Sequence, residues 1–185
     1  VGELEEIKAK FSNPRRTKIS GDSTDIEDED LIAHETMVVV MTDTGYIKRI
    51  PLDEYRIQKR GGKGLKGAET REEDFVTEIF VADTHTMLLF FTNKGKLFWV
   101  KVHRLPLGNR TSKGKAIANV LSLSNEEKVR AILQVDKFDE NRFVVMLTEK
   151  GIIKKTGLDA FSNPRPSGII ALTTDLDDNV IDAKL

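Results

Sequence analysis

Residues 58–64 read Gln58-Lys59-Arg60-Gly61-Gly62-Lys63-Gly64, three cations and three glycines with no apolar side chain among them. Such a stretch has nothing to bury, and its glycines let the backbone come close to a negatively charged ligand. Lys48, Arg49 and Arg56 precede it and Lys66 and Arg71 follow, so residues 47–71 hold about eight basic and three acidic side chains. The chemistry on offer is electrostatic: ammonium and guanidinium groups gripping phosphate, or, on the blander reading, a solvated linker.

Other chemistries fail on context. Gly62-x-Gly64-x-x-Gly67 satisfies the dinucleotide fingerprint, but charged residues Arg56 to Arg60 stand where an apolar strand is required, and an acidic stretch follows where a helix must open. A P-loop is excluded because no Gly-Lys is followed by Ser or Thr in frame. The chain has no cysteine, which removes disulfides, thiolate metal sites and cysteine nucleophiles. His34, His85 and His103 are scattered without metal-ligand spacing, so no metal site is expected. The acid pairs Glu72-Glu73 and Asp177-Asp178 fall in polar turns and read as solvated surface. On the segment Leu97-Phe98-Trp99-Val100, at least one ring reads as core rather than a base-stacking platform. No catalytic constellation remains, and this chain by itself is expected not to be an enzyme.

The elements that would position the basic loop are strands and turns. Residues 37–41 form an apolar run, Thr42-Asp43-Thr44-Gly45 turns the chain, and residues 46–50 return, the pattern of a hairpin. It recurs at Thr92-Asn93-Lys94-Gly95 and at Thr148-Glu149-Lys150-Gly151, so that Gly45, Gly95 and Gly151 stand 50 and 56 residues apart, a propeller-blade period. Each copy continues into a glycine-anchored strand (Lys63-Gly64-Leu65, Lys113-Gly114-Lys115-Ala116-Ile117, Ser167-Gly168-Ile169-Ile170) and an apolar closing strand at 76–82, 129–135 or 180–185. The third copy stops as its closing strand begins. Ahead of these units, Leu4, Ile7 and Phe11 have the spacing of a short amphipathic helix, marginal without a partner face. The acidic segment 21–33 reads as a linker. The second Phe-Ser-Asn-Pro-Arg, at residues 161–165 after that at 11–15, is read as coincidence.

The loop resembles the gyrase-A box, the heptapeptide Gln-Arg-Arg-Gly-Gly-Lys-Gly, with Lys59 in place of an arginine as the single departure. Val38-Val39-Val40, residues 45–50, Glu73-Asp74-Phe75-Val76, residues 89–95 and residues 161–165 also look like the gyrase A carboxy-terminal domain, in family order over nearly the whole chain. The fold so implied is all-β: a β-pinwheel, a ring of propeller-like blades that exchange strands and normally number six. About three four-stranded blades are expected here, at 34–85, 86–141 and 142–185 with the last incomplete, preceded by a remnant similar to the end of the breakage-reunion domain (1–20, the short helix and an extended exit) and the acidic linker 21–33. The function implied is DNA binding, bending and wrapping without sequence preference, within an ATP-dependent type II topoisomerase that introduces negative supercoils. Its cleavage tyrosine lies outside this chain. The alternatives are the corresponding domain of topoisomerase IV and a propeller serving protein interaction.

Gln58, Lys59, Arg60, Gly61, Gly62, Lys63 and Gly64 are the first candidates for DNA contact. Lys48, Arg49, Lys66, Lys94, Lys96, Lys113, Lys154 and Lys155 join them, because basic residues recur at equivalent places in the copies. The net charge of -1 averages unlike parts: residues 1–36 hold about five basic and ten acidic side chains, the remainder about twenty-four and twenty. By resemblance the partners are double-stranded DNA and the rest of gyrase A with gyrase B in an A2B2 heterotetramer. Open blade faces could also self-associate. No cofactor is expected in this chain, the ATP and Mg2+ of the whole enzyme binding elsewhere. No apolar run approaches the roughly 20 residues of a membrane helix and the sequence starts at Val1 without a charged-then-apolar signal segment, so a cytoplasmic piece of a longer chain is expected.

Overall fold

The computed structural model describes residues 2–13, 16–17, 28–55 and 74–185, in two units, Val1–Ile32 and Ala33–Leu185. In the first unit, α1 (Gly2–Phe11) carries Glu3 and Glu5 in its first turn and Lys8 and Lys10 in its last, charges that complement the helix dipole. Leu4, Ile7 and Phe11 line it as the spacing predicts, and all three are exposed. A short 3-10 turn, Asp28–Leu31, ends the acidic segment; most of that segment lies outside the described residues.

The second unit holds three antiparallel sheets. The strands are β1 (Thr36–Thr42), β2 (Tyr46–Pro51), β3 (Val76–Asp83), β4 (Met87–Thr92), β5 (Lys96–Lys101), β6 (Lys115–Ala116), β7 (Val129–Val135), β8 (Phe143–Thr148), β9 (Ile153–Gly157), β10 (Ile169–Ile170) and β11 (Val180–Lys184). Their orders are β3-β1-β2-β6, β10-β5-β4-β7 and β11-β8-β9. All three predicted hairpins form, and each closing strand pairs with the first strand of its own hairpin.

The glycine-anchored strands go elsewhere. β6 of the second copy pairs with β2 of the first (Ile47 opposite Lys115), and β10 of the third pairs with β5 of the second (Leu97 opposite Ile169). The four strands of a sheet therefore come from two successive copies, the exchange between neighbouring blades that the resemblance implies, where the repeat alone would keep all four in one copy. The close approach is the reason for glycine. Gly114, at φ +82°, would put a Cβ 2.5 Å from the Ile47 carbonyl oxygen, and a Cβ on Gly95, at φ +73°, would collide with the Leu172 carbonyl. In the third copy the closing strand β11 pairs with β8 at Val180 and Asp182–Lys184, and what its sheet lacks, among the described residues, is an exchanged strand on β9.

The core explains the apolar runs. β4 sends Leu88 and Phe90 into a cluster with Met37, Val39, Ile47 and Ile117, and Leu89 and Phe91 into one with Val144, Met146, Leu158 and Phe161. A strand sandwiched between two neighbouring sheets has no solvent face, so it reads as a continuous apolar run rather than an alternation. On the first sheet Val38 and Val40 are buried with Tyr55 and Val76, whereas on the third Phe143, Val145 and Ile153 remain exposed.

Candidate nucleic-acid interface

Each hairpin turn is built by one device used three times. Thr42, Thr92 and Thr148 accept a hydrogen bond at Oγ1 from the N–H four residues on, at 3.1 to 3.2 Å, and their carbonyls accept one from Gly45, Gly95 and Gly151. A carboxylate set just before each closing strand seals the turn. Asp74 accepts from the Thr44 N–H and hydroxyl, Glu127 from the Thr92 hydroxyl, and Asp178 from the Lys150 N–H. Asp178 is fully buried, which corrects its reading as solvated surface; the Glu72-Glu73 pair lies outside the described residues. In each case burial pushes the carboxyl up, and the donors around it together hold it below the usual carboxylate range. With its turn so pinned, the residue before the glycine points outward: Lys94 and Lys150 are exposed at equivalent positions.

The other candidates divide. Lys113 is exposed, its ammonium 3.5 Å from the centroid of the Tyr46 ring, and Lys155 is exposed over the Phe143 ring at 3.9 Å. Lys96 is half-buried, 3.5 Å from the Glu127 carboxylate, and Lys154 is exposed while donating to the Ala171 carbonyl at 2.7 Å. Lys48 departs from its expectation. It is buried, and its ammonium donates to the carbonyls of Asn109, Arg110 and Ser112 at 3.1, 3.0 and 2.6 Å, fastening the next copy's loop to β2. An ammonium saturated by three carbonyls has no donor left for phosphate. Arg49 is likewise engaged, its Nε donating to the Leu105 carbonyl at 2.9 Å, and burial lowers its pKa from the usual arginine value.

Arg49 has a counterpart that sequence reasoning missed. Trp99, at the same place in β5, donates its Nε1–H to the Phe161 carbonyl at 2.8 Å, so a long side-chain donor clasps the following copy in both sheets. Residue type hid the equivalence; counting four positions from Gly45 and Gly95 reveals it. Lys155 stands at that position in the third copy. Sequence reasoning also passed over Arg104, Lys115 and Arg165, which line one groove of about 930 Å³ together with Phe98 and Trp99.

Gln58, Lys59, Arg60, Gly61, Gly62, Lys63, Gly64 and Lys66 lie outside the described residues. The residues flanking them are anchored on the first sheet: Tyr55 packs against Val38, Val40 and Ile50, and the Phe75 carbonyl accepts from the Asp43 N–H at 2.9 Å. Tyr55 and Phe75, described residues on either side of the basic stretch, thus both belong to the first sheet's surroundings.

The model of the DNA gyrase C-terminal domain, a β-propeller family, matches residues 36–83, 86–136 and 142–185. The DNA gyrase A protein of Clostridium acetobutylicum is 45% identical over 183 residues, 99% of this chain and 22% of that protein. The gyrase A protein of Haemophilus influenzae is 46% identical over 179 residues, 97% of this chain and 20% of that protein. The chain therefore spans about a fifth of these relatives. Among solved structures, the C-terminal domain of DNA topoisomerase IV superposes at a TM-score of 0.70 with 28% identity, over 83% of this chain and 46% of that one. The DNA gyrase A C-terminal domain superposes at 0.61 with 25% identity, over 80% and 47%.

Proposed function

The chain belongs to the DNA gyrase C-terminal domain family, and from that premise we propose that it binds duplex DNA without sequence preference and bends it around the blade ring. In the parent enzyme, gyrase A working with gyrase B on ATP, that wrapped segment is presented to the cleavage gate, which converts relaxation into negative supercoiling. The reading is carried by the gyrase-A box at Gln58 to Gly64, complete but for Lys59. Exposed Lys94 and Lys150, at equivalent turns of successive copies, extend the positive surface. Contacts of this kind neutralise phosphates and carry no base information. A bend costs on the order of several kcal/mol, offset by the additional ion pairs it permits.

Wrapping is separable from binding by topology. Nicked circular DNA sealed by ligase in the presence of the chain should change linking number in proportion to bound protein, and log affinity should fall with log salt at a slope near -4 to -5 for about five phosphate contacts. Unchanged linking number at saturation would leave binding without wrapping and defeat the proposal. A salt-independent affinity would point instead to protein interaction, the reading from a different class. The likeness to topoisomerase IV keeps that enzyme as the near alternative in fold, and the nearly intact box together with the relatives favours gyrase.

A further inference from the structure

The three histidines that stand apart in the sequence converge in the fold. His34 precedes β1, Asp83 ends β3 and His85 lies in the turn to β4, yet Nδ1 of His34 is 2.9 Å and Nδ1 of His85 3.4 Å from the same Asp83 oxygen, Oδ1. One ligand atom from each of the three residues falls within 4.8 Å of the others. The backbone enforces this convergence. The buried Thr84 hydroxyl donates to the Ala33 carbonyl at 2.8 Å, the Thr84 N–H donates to the Glu35 carbonyl at 3.0 Å, and the Glu35 N–H donates to Thr84 Oγ1 at 3.2 Å. Segment 33–35 is thereby stitched to the β3–β4 turn, with the His34 and His85 rings stacked at 3.8 Å. The His85 N–H fixes the carboxylate, donating to Asp83 Oδ1 at 2.9 Å.

We propose that His34, Asp83 and His85 bind a divalent first-row transition ion of the Zn2+ class. With ligand bonds near 2.0–2.1 Å, neighbouring ligand atoms of a tetrahedral site lie about 3.3 Å apart; the two separations at Asp83 Oδ1 bracket that value. Two imidazole nitrogens and one carboxylate oxygen suit Zn2+, Ni2+ or Cu2+, whereas Mg2+ and Ca2+ call for oxygen cages. Water completes the coordination. One movement is needed, because a metal sits in the plane of each imidazole it bonds and stacked rings do not share such a point. His34, its side chain 74% exposed, is the ring able to turn toward the ion. The His103 N–H donates to the Thr84 carbonyl at 2.8 Å, so the ion would also brace the crossover between the first and second sheets. Neither the hairpin device nor the basic surface uses these side chains.

Calorimetric titration of the 185-residue chain with zinc chloride in a non-chelating buffer tests the site. The expected result is one saturable ion per chain, with the His34 and His85 ring resonances shifting together, no such response to magnesium, and at least a tenfold weaker affinity in His34→Ala. That exposed substitution should leave circular dichroism and the EDTA-treated melting curve unchanged, so a loss of affinity reports ligation rather than misfolding. Failure to saturate by about 1 mM zinc, an affinity unchanged in His34→Ala, or equal binding of magnesium would each overturn the proposal.

Discussion

The Thr92 hydroxyl donates to Oε1 of Glu127 across 2.8 Å, and both side chains are buried. That same hydroxyl oxygen accepts the Lys96 N–H, so one atom closes the hairpin turn and fastens it to the segment leading into β7. Thr92→Val keeps the shape while leaving a buried carboxylate short of a donor and an N–H short of an acceptor. A loss of about 1–3 kcal/mol is expected in urea unfolding. Equal stability of Thr92→Val and the parent would refute the assignment.

Acid sensitivity follows from the same carboxylates. Asp74, Glu127 and Asp178 have folded-state pKa values held below their unfolded ones, so each contributes stability that is present above the unfolded value and is lost as pH falls through the folded one. With unfolded carboxyl values of about 4, melting temperature should stay level from neutral pH down to about 5 and fall below about 4. A decline confined to the range between 7 and 5 would contradict this.

Lys48 and the turn lysines should separate stability from binding. Lys48→Ala strands three backbone carbonyls and should lower the melting temperature by several degrees, for a cost of about 1–3 kcal/mol. The double change Lys94→Ala and Lys150→Ala should leave melting unaltered and make the salt slope of DNA affinity shallower by about 1–2. The reverse pattern would return Lys48 to the phosphate surface.

Replacing Lys59, Arg60 and Lys63 together by alanine should preserve the far-ultraviolet spectrum and abolish the change in linking number on nicked circles. In a reconstituted parent enzyme, the same triple change should remove supercoiling and spare relaxation. Supercoiling at the original rate would exclude the box from wrapping.

The third sheet offers an adhesive face. Phe143, Val145 and Ile153 are 41%, 39% and 68% exposed, and the outer edge of β9 carries no partner strand among the described residues. Apolar surface left in water costs roughly 25 cal/mol per Å², so the chain should self-associate in sedimentation experiments as concentration rises. Val145→Lys with Ile153→Lys should return it to a monomer. A monomer at every concentration would refute this use of the face.

Much of the architecture was legible because its signals are local. The Thr-x-x-Gly turns, the strand propensities on either side and the spacing of Gly45, Gly95 and Gly151 are written in consecutive residues, and each hairpin forms where they place it. The box, too, is a matter of consecutive residues, whatever surrounds it.

What the repeat alone, without the resemblance, could not show is which copy a strand joins. β6 and β10 are two residues long, too short for any pattern to tell a strand kept at home from one lent to the preceding sheet, and only long-range pairing decides it. That exchange fastens Lys48 to the loop of residues 109–112 and turns Arg49 and Trp99 into clasps, while the pinned hairpin turns leave Lys94 and Lys150 at the surface. It was likewise the tertiary fold that drew Asp178 into a buried turn and brought His34 to His85. Composition marks a residue as charged or ligating, but its partners come from chain segments many residues away. By itself the sequence determined the family, the repeat and the positive stretch; the tertiary structure decided which charges serve the fold and which face outward.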